Sequence, residues 1–132
     1  MTPEQFIDVA LWFPEAVETE PFSPGMPVYK VAGRMFAILQ DDKTRSPRIS
    51  LKCEPSLALE LRAQYTAVTA GYHLNKQHWN TVMLDGDVPA DELVEMVWHS
   101  YRQVAKGLRK ADRDRVLAVL GEDMPPTPPS GA

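Results

Sequence analysis

The side chains best suited to chemistry lie in one short stretch, residues 70–82, which reads Ala-Gly-Tyr-His-Leu-Asn-Lys-Gln-His-Trp-Asn-Thr-Val. Histidine can act as an acid or a base near neutral pH, and lysine can hold an anion. Varied polar groups beside a strand are typical of functional loops on a rigid scaffold. The candidate site residues of this stretch are Tyr72, His73, Asn75, Lys76, His78 and Trp79.

Binding of nucleic acid is the first function that the charge pattern favours. The acids cluster at residues 15–20, 85–95 and 112–123, whereas several cations fall in or beside predicted strands: Lys30, Arg34, Arg45, Arg48, Lys52 and Lys76. The net charge of −4 argues against strong non-specific binding of polyanions, but it is compatible with a local basic patch. The pattern predicts DNA contacts by Arg34, Arg48 and Lys52 on an open sheet face.

The polar stretch would add further DNA contacts. Lys76 would hold a phosphate, and Asn75 or His78 would hydrogen-bond phosphates or base edges. Trp79 or Tyr72 would stack on an unpaired base. In the alternative interpretation the cations form a solvated sheet face, and Trp79 belongs to the core.

A small-molecule pocket lined by Tyr72, His73 and Trp79 is the second hypothesis. Catalysis would need a nucleophile, and Cys53 is the one thiol in the sequence. Because Cys53 shares the apolar face of a predicted strand with Ile49 and Leu51, we expect a buried, inert thiol. The sequence contains no glycine-rich phosphate loop or nucleophile elbow. We therefore expect ligand binding without catalysis, and the sequence indicates no cofactor.

A metal site and a purely structural role are the remaining alternatives. His73 and His78 are five residues apart, so they do not share one helix face, and no acid lies beside them. The sequence therefore predicts no metal site. In the structural interpretation, Asn75 and its neighbours shape the loop before a strand, as turn-forming residues often do.

Length and composition are those of one globular domain. The chain has 132 residues, of which 44% are hydrophobic and 24% are charged. No apolar run approaches the ~20 residues that cross a bilayer, and the first residues do not resemble a secretion signal. We expect a cytoplasmic monomer with one domain at residues 1–121 and a flexible Pro-rich tail at residues 122–132.

Hydrophobic spacing predicts the elements that position these residues. Thr2 and Pro3 begin a helix, strands follow near residues 26–31, 34–39, 48–53 and 79–84, and further helices begin at Pro55, near Pro89 and near Asp112. His99 falls on the solvent side of the longest helix. Strands grouped in mid-chain favour an α+β fold, in which an antiparallel sheet has helices packed on one face and the other face partly open.

Three segments resemble the MmcQ/YjbR family: residues 28–37 (VYKVAGRMFA), 49–53 (ISLKC) and 71–79 (GYHLNKQHW). The pair Ser100 and Tyr101 also fits it. The family usually has Met at the position of Leu74 and often Lys at that of Arg34, so both departures keep the residue class. The resemblance implies a two-layer sandwich like that of frataxin (CyaY). It also implies DNA binding through a pair of wing-like β hairpins.

Overall fold

A computed structural model describes residues 1–129 of the chain. In chain order its helices are α1 Pro3–Trp12, α2 Pro55–Gln64, α3 Ala90–Lys106 and α4 Lys110–Leu120. Its strands are β1 Val17–Thr19, β2 Val28–Val31, β3 Arg34–Gln40, β4 Arg48–Lys52, β5 Val68–Ala70 and β6 Trp79–Met83. None of the helices in this part of the chain is long and apolar enough to cross a membrane.

The six strands form one antiparallel sheet in the order β1-β2-β3-β4-β6-β5. A two-residue turn joins β2 to β3, and its residues Ala32 and Gly33 have φ values of +48° and +81°. Positive φ at both central residues matches the right-handed twist of a hairpin. Residues 71–78 form a longer connection between β5 and β6. Both β3 and β6 run antiparallel to β4, and both begin at its Lys52 end. The β2–β3 turn and the loop at residues 71–78 therefore lie at the same end of the sheet, beyond Lys52.

The helices cover one face of this sheet. Side chains alternate along each strand, so every second residue points toward the helices. The buried residues of this helix-covered face include Tyr29, Leu39, Ile49, Leu51 and Val82, and they pack with Phe6, Val97 and Tyr101 from α1 and α3. Full burial of such a side chain contributes roughly 1.5–3 kcal/mol.

Ser100 joins α3 to the sheet where the β3–β4 pairing ends. The register of these strands begins with Ala37 opposite Leu51, after a bulge in the β2–β3 pairing. Just beyond it, the Ser100 hydroxyl donates to the Phe36 carbonyl oxygen at 2.5 Å and accepts from the Lys52 amide at 2.8 Å. The hydroxyl thus satisfies two backbone groups that the ladder leaves unpaired.

The other face of the sheet, here called the open sheet face, is rich in polar side chains. Ser50 and Thr81 are hydrogen-bonded across it at 2.9 Å, and Arg48 Nε donates to Gln40 Oε1 at 2.8 Å. Register and alternation also place Lys30 and Lys52 there. Within the described strands, the one acid is Glu18, which lies on the helix side and accepts from the Tyr29 hydroxyl at 2.6 Å.

The predicted α+β class with helices packed on one face is confirmed. Strands β1 and β5 were not predicted, since each has three residues at a sheet edge and is too short to show an alternation of polar and apolar side chains. The α4 helix begins at Lys110 rather than near Asp112. The likeness to frataxin stays a prediction.

The residues after α4 lie against two helices. Trp98 Nε1 donates to the Asp123 carbonyl oxygen at 3.0 Å, and Gln5 Nε2 donates to that of Pro129 at 3.2 Å. Residues 130–132 of the predicted tail lie outside the described residues. The domain boundary at residue 121 and the flexibility of the tail stay predictions.

Candidate nucleic-acid interface

The loop at residues 71–78 is shaped by its own polar side chains. Asn75 Oδ1 accepts from the amides of Gln77 at 2.9 Å and His78 at 3.3 Å, as in turns built on asparagine. Lys76 Nζ donates to the Gly71 carbonyl oxygen at 3.0 Å. Asn75 and Lys76 therefore hold the loop, as the structural interpretation expects. An ammonium group has three donors, so Lys76 retains two for an anion.

Arg62 on α2 fixes the base of this loop. Its Nε donates to Asn80 Oδ1 at 2.7 Å, and its Nη2 donates to the carbonyl oxygens of Lys76 and, at 3.3 Å, Trp79. The Asn80 amide group donates in turn to the Ala58 carbonyl oxygen at 3.3 Å. Neither Arg62 nor Asn80 was among the site residues predicted from the sequence. The available signal was a polar Asn80 in a predicted strand, because a buried amide needs partners.

The aromatic residues of the stretch differ in exposure. Trp79 is 8% exposed, whereas Tyr72 is 50% exposed and its ring centroid lies 4.0 Å from that of His73. Gly71 allows close approach to Trp79, since a Cβ at Gly71 would lie 2.7 Å from the Trp79 Cβ. Trp79 is therefore covered although its pairing with Lys52 places it on the open sheet face, and Tyr72 is the ring within reach of a ligand. The predicted pocket of Tyr72, His73 and Trp79 stays a prediction.

Arg34 does not lie on the open sheet face, so the prediction that it contacts DNA from that face is wrong. It pairs with Val31, whose buried side chain belongs to the helix-covered core. Gly107 directly follows α3, and a Cβ atom added to it would lie 3.9 Å from Arg34 Nη1. The reason is the two-residue turn, which puts Val31 and Arg34 opposite each other and hence on the same face. Arg34 therefore lies on the helix side of the hairpin tip.

Four cations nevertheless meet at one end of the sheet, which we call the basic end: Lys30, Arg34, Lys52 and Lys76. Lys52 pairs with Trp79 at the start of β6, directly after the loop that carries Lys76. Lys30 and Arg34 flank the tip of the β2–β3 hairpin. Arg48 lies at the other end of β4, on the open sheet face, and Arg45 lies in the loop before it. In residues 1–129 none of the four basic-end cations forms an ion pair.

The acids near β6 and α3 lie mostly at the opposite end. Residues 85–92, which include four acids, follow the end of β6 that faces Arg48. Glu54 is the carboxylate nearest in sequence to Lys52, and it caps α2 by accepting from the amides of Ser56 at 3.1 Å and Leu57 at 3.0 Å. These hydrogen bonds hold the pKa of Glu54 below its usual value. The charges around β4 and β6 are thus segregated along the strands, while Glu15, which precedes β1 at the Lys30 end, is paired with Arg115 at 2.7 Å.

Two further side chains were predicted to take no part in a site: Cys53 as a buried thiol and His99 as a solvated side chain. Cys53 is 5% exposed, and burial raises the pKa of its thiol to about 11, which leaves little thiolate at neutral pH. His99 differs from the expectation of a solvated side chain, because its Nε2 accepts from the Glu54 amide at 3.2 Å in a half-buried position. Residues 1–129 contain no cluster of three or more His, Cys, Asp or Glu side chains placed to hold a metal ion.

Comparison with known proteins places this architecture in a family. The YjbR family model matches residues 11–103 of the chain. The chain belongs to the YjbR family. It is 40% identical over 91 residues to YjbR of Escherichia coli K12, which covers 69% of this chain and 75% of that protein. It is 33% identical over 96 residues to YbdF of Escherichia coli O157:H7, covering 73% and 78%. Both relatives are described as uncharacterised proteins.

Solved structures share the YjbR-family fold. A crystal structure of a Deinococcus radiodurans protein with a DUF419 domain superposes with a TM-score of 0.80 at 36% identity, covering 99% of this chain and 94% of that one. A crystal structure from Pseudomonas syringae gives a TM-score of 0.67 at 28% identity, covering 76% and 96%. The predicted MmcQ/YjbR resemblance is therefore confirmed. The range that matches the family includes the whole basic end.

Proposed function

We propose that this YjbR-family protein binds DNA through the basic end of its sheet. The observation that carries the proposal is the meeting of two hairpin tips and four cations at one end of the sheet. The tips are the β2–β3 turn and the loop at residues 71–78, and the cations are Lys30, Arg34, Lys52 and Lys76. In this proposal a single copy of the chain, in the cytoplasm, provides the whole interface.

The spacing of the cations suits a phosphate backbone. Lys30 on β2 and Lys52 on β4 are separated by two strand spacings, roughly 10 Å, which is close to the ~12 Å width of a major groove. The β2–β3 tip consists of the small residues Ala32 and Gly33, so it can approach a groove closely. With the β2–β3 hairpin in the groove, Lys30 and Lys52 on either side of β3 would contact the flanking phosphates.

The segregation of charge explains how an acidic chain can hold DNA. The acids of residues 85–92 lie at the far end of β6, and Glu54 is engaged in the cap of α2. Neutralising four phosphates predicts a slope of log K against log salt of roughly −4, because each contact on duplex DNA contributes about −0.9. Affinity should then fall on the order of a hundredfold between about 50 and 200 mM salt. Binding is therefore expected to be weak near physiological salt.

The experiment is a fluorescence anisotropy titration of labelled duplex DNA at low and near-physiological salt. Lys52→Ala and Arg34→Ala should each weaken binding and reduce the salt slope by about one. Lys43→Ala and Arg45→Ala are the matched controls, because these exposed cations lie in the loop at the opposite end of the sheet. The proposal fails if the wild-type curve is flat at low salt. It also fails if the control substitutions weaken binding as much as the basic-end substitutions.

A further inference from the structure

A cavity of about 490 Å³ lies between α2 and α3, on the helix-covered face and away from the open sheet face. Its floor is formed by Leu51 and Val82 on β4 and β6. Leu57 on α2 and Met96 on α3 form facing walls. Pockets of 300–1,000 Å³ with apolar walls are typical of small-molecule sites. The cavity therefore has the size and the lining of a ligand site.

The cavity is held open by a fixed frame. Asn80 in the floor is 3% exposed and is bonded to Arg62 and to the Ala58 carbonyl oxygen, so it cannot turn to close the space. The segment after α4 completes the rim with Glu122 and Met124. The hydrogen bond from Trp98 Nε1 to the Asp123 carbonyl oxygen ties that segment to α3. The shape is thus set before any ligand arrives, which lowers the entropic cost of binding.

The charges at the mouth of the cavity select the class of ligand. Three carboxylates line it, Glu92, Glu95 and Glu122, and none of them forms an ion pair within residues 1–129. Glu92 also faces the Tyr65 hydroxyl, which leaves Glu95 and Glu122 as the freer acceptors.

Two guanidinium groups lie beside the cavity without lining it: Arg62 is bonded to Asn80 at 2.7 Å, and Arg102 lies 4.7 Å from the centroid of the Trp98 ring. Lys52 is the one lysine or arginine that lines the cavity, and its pairing with Trp79 directs its side chain to the open sheet face. His99 accepts a hydrogen bond from the Glu54 amide at 3.2 Å, which requires an unprotonated Nε2. The residues that line the cavity therefore include three carboxylates and one lysine around an apolar interior.

We propose that the cleft between α2 and α3 binds a small organic cation with an apolar body. The ammonium group lies at the mouth between Glu95 and Glu122, and the apolar body lies on Leu57, Met96 and Val82. An anion of the same shape is rejected, because its charge would meet the carboxylates. This site and the proposed DNA interface share Lys52 as a bordering residue, but their ligands have opposite charge and the cavity lies on the helix-covered face.

The test compares two probes with the same phenylbutyl skeleton, 4-phenylbutylamine and 4-phenylbutyrate. Each is titrated into the full chain and followed by ¹H–¹⁵N NMR, with the Trp98 indole N–H and the backbone amides of Met96 and His99 as reporters. The amine should shift these signals in a saturable way, and the carboxylate should not. Equal binding of both probes, or amine shifts confined to other parts of the chain, would overturn the proposal.

Substitutions test which residues contact the ammonium group of the ligand and which contact its apolar body. Glu95→Gln and Glu122→Gln should each weaken amine binding about two- to fivefold, as expected for a solvent-exposed charge pair. Glu60→Gln is the control, because Glu60 is exposed on α2 and does not line the cavity. Leu57→Trp should fill the cleft and abolish the amine-induced shifts, while the amide signals keep the dispersion of a folded protein. An unchanged amine affinity in Leu57→Trp, or an equal loss in Glu60→Gln, would contradict the assignment.

Discussion

Arg62 Nε and Asn80 Oδ1 are joined by a hydrogen bond of 2.7 Å that links α2 to the base of the loop at residues 71–78. The same guanidinium also donates to the carbonyl oxygens of Lys76 and Trp79. Asn80 is 3% exposed, so the loss of the Arg62 donor would leave its amide oxygen without this partner at a buried position. The geometry of the loop therefore depends on a residue of another element.

Arg62→Ala should lower the free energy of unfolding by about 1–3 kcal/mol, since it leaves Asn80 Oδ1 without its donor. Urea denaturation measures this change, and hydrogen exchange at the amides of residues 76–79 should show faster local opening. Arg45→Ala, in the exposed loop at the opposite end of the sheet, is the control and should change stability by less than about 0.5 kcal/mol. A stability loss in Arg62→Ala no larger than in the control would show that the link is dispensable.

Ser100→Ala should also destabilise the protein by about 1–3 kcal/mol. The substitution leaves the Phe36 carbonyl oxygen and the Lys52 amide without their shared hydroxyl at a buried position. Thermal or urea unfolding provides the measurement, with Ser46→Ala in an exposed loop as the control. If Ser100→Ala unfolds at the wild-type urea concentration, another group must satisfy those two backbone atoms.

The long helices and strands could be predicted from the sequence, because each contains enough residues to show the helical or alternating spacing of its hydrophobic side chains. The apolar stripe of α3 is buried throughout, with exposed fractions of 0–3% at Leu93, Val97, Tyr101 and Val104, and Leu108 just after the helix is 6% exposed. The edge strands β1 and β5 could not be predicted, because three residues contain less than one clear alternation. Their existence depends on pairing with β2 and β6, which is a tertiary property.

The candidate site was only partly predictable for the same reason. Residue types indicated that Asn75 and Lys76 matter, but spacing does not reveal whether a side chain faces a ligand or its own loop. The link between Arg62 and Asn80 joins residues eighteen apart in sequence, and it depends on which strand α2 covers. The position of Arg34 depends on the length of one turn. Such relationships require the packed structure.

His99 should make stability fall as the pH is lowered. Burial holds the pKa of His99 below its ordinary value of 6.5. The folded state therefore resists protonation, while the unfolded state takes up a proton as the pH falls below 6.5. The stability that neutral His99 contributes is complete above that pH and is lost progressively below it. Protonation would also remove the acceptor for the Glu54 amide.

Urea denaturation at a series of pH values from about 7.5 to 5.5 measures this effect, and an NMR titration of the His99 ring locates its pKa. In His99→Gln the amide oxygen can still accept a hydrogen bond but does not titrate, so the pH dependence in this window should be smaller. His73→Gln is the control, because His73 is exposed in the loop. A His99 pKa above 6.5, or an unchanged pH dependence in His99→Gln, would contradict the prediction.

Tyr72 should distinguish single-stranded from duplex DNA if the basic end is the interface. Its ring is half exposed at the hairpin tip next to His73, whereas Trp79 is buried. Stacking on an unpaired base contributes about 1–3 kcal/mol, and the bases of an intact duplex are already stacked. Tyr72→Ala should therefore weaken binding of single-stranded DNA about five- to 150-fold and leave duplex affinity nearly unchanged. Tyr72→Phe keeps the ring and should behave like the wild type, so an equal loss in both variants would indicate that the hydroxyl rather than the ring makes the contact.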